Sequence, residues 1–165
     1  MSTNTAEKLP VIPGFCEGIQ HYGSAWPDFD QYANTAVIAD GETSIVDIDH
    51  AAVYQTLLGA DALRYLTLQL CGSKGSGHPG GYASSAEAHA ALMMLGHTNI
   101  VTEVGHHAPG FYSAMFLDGS LEDMDIHTMN DMQQRFREKH GLLGHLSGAI
   151  PGLLATAGPL GQGQH

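Results

Sequence analysis

The 165-residue chain is 43% hydrophobic and carries 17 acidic against 6 basic side chains, a formal net charge of −11. That size supports one buried core, and the acidic balance repels nucleic acid and anionic lipid, so the chain is expected to bind neither and a phosphorylated ligand would need local help. The opening MSTNTAEKLPVIPGF has no basic stretch leading into an apolar run, no later segment reaches membrane-spanning length, and Cys16 and Cys71 form no C-x-x-C pair, so a cytoplasmic protein with buried free thiols is expected.

Residues 1–50 read as an N-terminal extension in which TAVIADGETSIVDI places two alternating apolar runs about Asp40-Gly41, a hairpin signal. From Ala51 to Leu70 the pattern turns helical, with Leu58, Ala62, Leu63, Leu66 and Leu70 on one face and Gly72 as the stop. After a glycine-rich loop, Ser84 and Glu87 form a capping-box signature ahead of Ala88, Ala91, Leu92 and Leu95 at helical spacing. Asn99 to Val104, rich in β-branched residues and halted by Gly105, predicts a buried strand with a site at its carboxyl end.

Two further helices are predicted over Phe111 to Leu117 and Thr128 to Lys139, the second with Met129, Met132 and Phe136 on its core side. The remainder, GLLGHLSGAIPGLLATAGPLGQGQH, is punctuated by glycine and predicts mostly loop. No repeat and no low-complexity tract is present.

The loop KGSGHPGG holds a literal G-x-G-x-x-G in Gly75, Gly77 and Gly80. A dinucleotide fingerprint follows a strand and opens a helix, whereas this one follows a helix and contains Pro79. A Walker A loop fails as well, because the glycine spacing from Gly72 to Gly77 runs into His78 where Lys and Ser or Thr are required. What remains is an exposed histidine held between glycines, equally a turn residue and a functional one on its own.

Among the eleven histidines, His97, His106, His107 and His145 are the candidates for a metal. No H-E-x-x-H is present and no carboxylate stands at helical spacing from a pair, so no metal site is expected within the chain. His89 flanks an apolar helix face and reads as a packed core edge. Asp118, Glu122, Asp123 and Asp125 lack the glycine and terminal glutamate of an EF-hand and read as a solvated loop and helix start.

SGHPGG at Ser76 to Gly81, GH at Gly105 and His106, GH at Gly144 and His145 ahead of Pro151-Gly152, and GPLGQG at Gly158 to Gly163 occur in the order seen in transketolase N-terminal domains. From about Leu57 to His165 the chain resembles the start of a thiamine diphosphate enzyme of the transketolase superfamily. The resemblance implies an α/β chain, mostly helical in this segment, in which residues 51–165 form an incomplete thiamine diphosphate-binding domain whose parallel sheet is completed by residues outside the chain. It implies that His78 and His145 act on the substrate, His78 moving protons at the ketose hydroxyls and His145 lining the channel. It also implies that His106, Gly158, Pro159 and Leu160 contact the cofactor, His106 at its diphosphate.

Imidazole suits the proton-moving role because it titrates near neutrality and both donates and accepts. The implied activity is transfer of a two-carbon ketol unit between sugar phosphates. EVGHHAPGFYSAMFLDGSL departs from the transketolase pattern and is similar to the homodimeric pyruvate dehydrogenase decarboxylase component, which would act on a 2-oxo acid, and GHLSG stands where transketolases have GHPE.

The family's cation motif, GDG with a later Asn, has no counterpart, since Ala39 to Gly41 and Leu117 to Gly119 lack its context. Ligands for Mg or Ca, the activating glutamate and the phosphate-binding basic residues are therefore expected outside the chain. The chain is expected to be an N-terminal fragment or a split subunit, inactive alone, completed by a second copy or a complementary subunit bearing the pyrimidine-binding domain. A non-catalytic remnant is the third reading.

Overall fold

A computed structural model describes residues 37–39, 42–44, 50–97, 100–155 and 158. The described part is mostly helical. The predicted hairpin is present as antiparallel strands β1, Val37–Ala39, and β2, Glu42–Ser44, with Val37 opposite Ser44 and Ala39 opposite Glu42. That register leaves a two-residue connection, the length Asp-Gly favours. Asp40 and Gly41 themselves lie outside the described residues.

Helix α1, His50–Lys74, is the longest element. It turns Ala62, Leu63, Leu66 and Leu70 fully inward, as their spacing predicts, and leaves Tyr65 and Leu68 on the outer face. The helix does not stop at Gly72. Gly72 remains helical and Gly75 takes the left-handed conformation, φ +57°. There Gly75 N–H donates to Gly72 O and Ser76 N–H to Cys71 O, at 3.2 and 3.1 Å, a Schellman ending.

The glycine loop contributes structure of its own. Helix α2, Pro79–Ala83, begins at the proline, whose missing N–H and fixed φ suit a first helical turn, so Pro79 starts a helix where the sequence predicts a continued loop. Helix α3, Ala86–Met94, then follows almost directly. Because α2 leads straight into it, Ser84 is already helical, φ −74° and ψ −15°, and cannot adopt the extended geometry of a capping residue. The expected capping box is not formed. Ser84 Oγ donates back to Gly81 O at 2.8 Å, and Glu87 pairs instead with Arg64 of α1.

No strand forms over residues 100–104. Val104 N–H donates to Thr102 Oγ1 at 3.1 Å, a local turn that competes with extended pairing, and no neighbouring strand is present among the described residues to overcome it. Residue 99, the predicted strand's first, lies outside them. A parallel sheet is likewise not seen among the described residues, where the one parallel pairing is the isolated bridge between Phe136 and Leu142.

A single 3-10 turn, Gly105–His107, feeds helix α4, Ala108–Leu117, which starts three residues before its prediction because Pro109 occupies the first turn. Helix α4 is the centre of the core, buried at nearly every position. Ser113 Oγ lies 3.4 Å from Thr67 Oγ1 of α1. Helix α5, Met129–Arg135, opens with a complete capping box between Thr128 and Asp131. It ends four residues before Lys139, because Phe136 turns extended to pair with Leu142, and both side chains are fully buried. The following segment runs in turns, as its glycines predict, pinned by buried Leu142, Leu146 and Ile150.

The docking of α2 onto α4 depends on a missing side chain. The ring of Tyr82, 1% exposed, lies where a Cβ on Gly110 would stand. Gly110→Ala should therefore overpack the core and cost about 1–3 kcal/mol. At Gly72 a Cβ meets nothing within 4 Å, and Gly72→Ala should stabilise the helix by up to about 1 kcal/mol. Urea titrations of the two variants should move their midpoints in opposite directions.

Candidate functional site

Two of the sequence-predicted histidines are brought together. His78 precedes α2 and is exposed; His106 sits in the 3-10 turn before α4 and is half-buried. Their ring centroids are 5.5 Å apart at an interplanar angle of 83°. His107 continues the cluster, 5.2 Å from His106 and nearly perpendicular to it. Gly81 makes this possible, since a Cβ there would lie 3.2 Å from His106 Nε2 and 3.3 Å from His107 Nε2. The third glycine of the SGHPGG loop is thus a floor on which two imidazoles rest.

His145 reaches the same neighbourhood through its backbone. Leu146 N–H donates to Gly105 O at 3.3 Å, and Tyr112 Oη donates to Leu143 O at 2.8 Å with His145 O at 3.5 Å. The His145 side chain is exposed and, among the described residues, makes no ring contact with His78 or His106. Gly158 is exposed, with open space around its Cα; Pro159 and Leu160 lie outside the described residues.

Behind the histidines lies a buried polar pair that sequence reading did not single out as functional. Tyr82 Oη and His89 Nδ1 are 2.6 Å apart, with the His89 ring 4.6 Å from that of Phe111. Burial holds the Tyr82 phenol well above its ordinary range, against the opposing charge of Arg64. Burial also pushes His89 down to about 4, and the charge of His107 acts in the same direction. Both shifts leave the phenol protonated and the imidazole neutral, so the two share one hydrogen bond whose direction follows the imidazole tautomer. His107 is lowered as well, by burial first and by His106 second, against a hydrogen bond to the Gly81 backbone that favours its protonated form.

A cavity of about 210 Å³ opens beside this layer, bounded by Tyr82, His89, His107 and Phe111 within and by Leu92 and Val101 at the rim. His78, His106 and His145 do not line it. The signal for the buried pair was the seven-residue spacing of Tyr82 and His89, which places both toward α4. His89 as a packed core residue agrees with its reading from the sequence.

The acidic stretch is solvated as expected except at Asp118, which is half-buried. Glu122, Asp123 and Asp125 are exposed, Asp125 Oδ1 accepting from His127 at 3.1 Å, while burial raises the Asp118 carboxyl against hydrogen bonds from Ser120. Among the described residues no three His, Cys, Asp or Glu side chains gather where a metal ion could be held. No helix of the described residues is long and apolar enough to cross a membrane. No family model, curated protein or solved structure matches this chain.

The depressed His89 has a consequence for stability. Above its unfolded value of 6.5 the ring is neutral in both folded and unfolded chains; between 6.5 and about 4 only the unfolded ring gains a proton. Stability should therefore fall as pH falls through that window, by on the order of 3 kcal/mol from this ring. Denaturant titrations at stepped pH should show the decline in the parent chain and a flatter profile in His89→Gln.

Proposed function

We propose that the chain supplies one wall of a thiamine diphosphate site in a transketolase-like enzyme, acting on sugar phosphates to transfer a two-carbon ketol unit. The observation that carries this reading is the edge-to-face meeting of the His78 and His106 rings, because the resemblance requires those two imidazoles, from separate motifs, to face one ligand. The donor set fits a diphosphate in part: His106 is half-buried with Nε2 close to bare backbone at Gly81, and a Cβ on Gly80 would meet nothing within 4 Å. When bound, the cofactor supplies a nucleophilic carbon and an electron sink for breaking a bond next to a carbonyl.

The chain's own residues bind and move protons. His106 donates to a diphosphate oxygen. His78, exposed at the start of α2, exchanges a proton with a substrate hydroxyl. His145 borders the substrate path, and Gly158, Pro159 and Leu160 pack against the cofactor. Cation ligands come from residues outside this chain, and the activating glutamate and pyrimidine-binding surface from a complementary subunit or a partner in a homo-oligomer. The divalent cation is Mg or Ca.

A second reading, decarboxylation of a 2-oxo acid, is favoured by the GHHAPGFYSAMFLDGSL stretch. The structure accounts for several of its residues by packing: Gly110 makes room for Tyr82, Pro109 starts α4, and Tyr112 ties α4 to Leu143. The discriminating experiment joins the chain to its in-frame continuation and offers xylulose 5-phosphate against pyruvate with thiamine diphosphate and Mg. Turnover of the sugar phosphate is expected, with His78→Ala lowering kcat by about 10²- to 10⁴-fold and His106→Ala acting mainly on cofactor affinity. Turnover of pyruvate alone selects the second reading, and absence of cofactor binding leaves the non-catalytic one.

A further inference from the structure

We propose that Arg137 is a positioning residue, a clasp that fixes the loop carrying His78 against the loop carrying His145. The inference rests on the functional reading of those histidines but stands on contacts of its own. Arg137 Nη1 donates to Ser76 Oγ at 2.6 Å, two residues before His78. The guanidinium also lies against Gly144, immediately before His145: a Cβ on that glycine would meet Arg137 Nε and Nη2 at 3.2 Å and Cζ at 3.4 Å. One planar group therefore touches both histidine-bearing loops, and Gly144 is what lets it approach.

The backbone is bent to aim it. Arg137 has φ +62°, a left-handed conformation that costs a non-glycine residue roughly 1–2 kcal/mol. The surrounding turn imposes it: Arg137 N–H donates to Leu142 O at 2.6 Å, Leu142 N–H to Arg135 O at 2.9 Å, and Gly141 N–H to Glu138 O at 3.1 Å. Gly141 is obligatory there, because a Cβ would collide with Arg135 O. Phe136, buried beneath, presents its ring 5.8 Å from Arg137 Cζ.

Among the described residues the charge is committed to these loops and not to a neighbouring acid. Arg64 pairs with Asp61 and Glu87, and Lys74 pairs with Glu138. Among the described residues Arg137 has no carboxylate within ion-pair distance, although the whole chain carries 17 acids. A guanidinium used only to offset surface charge would be matched by an acid; this one holds a hydroxyl and a glycine backbone from two separate motifs.

The test uses the full chain, without cofactor, and follows the assigned ring Cε1–H resonances of His78, His145 and His89 by NMR. Arg137→Gly removes the clasp and at the same time relieves the left-handed strain, so its melting temperature should stay within about 4 °C of the parent. The His78 and His145 signals should shift and broaden while that of His89, packed between Tyr82 and Phe111, stays in place. Low-millimolar guanidinium should restore the two shifted signals, and sodium chloride at equal ionic strength should not. Ser76→Ala, which removes only the accepting hydroxyl, should displace the His78 signal without loss of fold.

Unmoved His78 and His145 signals in a folded Arg137→Gly chain would overturn the proposal. So would equal movement of His89, which marks a general structural role, or an unfolded Arg137→Gly chain together with an unmoved His78 in Ser76→Ala. Because no cofactor is present, a clasp that passes while thiamine diphosphate fails to bind sinks only the functional reading.

Discussion

The arrangement depends on the contact between the Tyr82 ring and the bare backbone of Gly110. It closes the distance between α2 and α4, the two elements whose leading ends carry His78 and His106. The hydrogen bond between Tyr82 Oη and His89 Nδ1 extends the same contact into α3, so a phenol, an imidazole and a missing methyl lock three elements together. Buried polar groups stabilise only when each is satisfied. Here the neutral imidazole and the protonated phenol satisfy one another, and the alternatives, a charged ring or a phenolate in that layer, are both disfavoured by burial.

Legibility in the sequence followed the range of the interaction that decided each feature. The apolar face of α1 and the hairpin register could be read because both are set by local periodicity and turn chemistry. The end of α1 was misplaced by three residues, since glycine spacing alone does not reveal which glycine takes positive φ. The capping box at Ser84 failed because α2 delivers the chain to α3 already helical, whereas Thr128 and Asp131 formed theirs from an extended approach. The strand over 99–104 needed a partner to exist, and local propensity cannot supply one. The early end of α5 likewise follows from a long-range demand, the burial of Phe136 beside Leu142.

The site was legible to a smaller extent. Motif order suggested that His78 and His106 belong together, and the fold places their rings in contact. His145 is held nearby through backbone hydrogen bonds at Leu143 and Leu146, with its ring turned to solvent. Gly77, Gly81, Gly110 and Gly144 each make room for a particular neighbour, respectively Cys71, the paired imidazoles of His106 and His107, Tyr82 and Arg137. Arg137 escaped notice because its importance lies in two long-range contacts, neither of which has a sequence signature.

The close approach of Gly77 to Cys71 has a practical outcome. The thiol is 6% exposed, and burial raises its pKa against the nearby charge of Arg137, so little thiolate is present to react. Alkylating reagents should meet Cys71 only when the end of α1 parts from the loop that leads to His78. The sulfur thereby becomes a built-in reporter of local opening, and its labelling rate measures how tightly the loop is held shut.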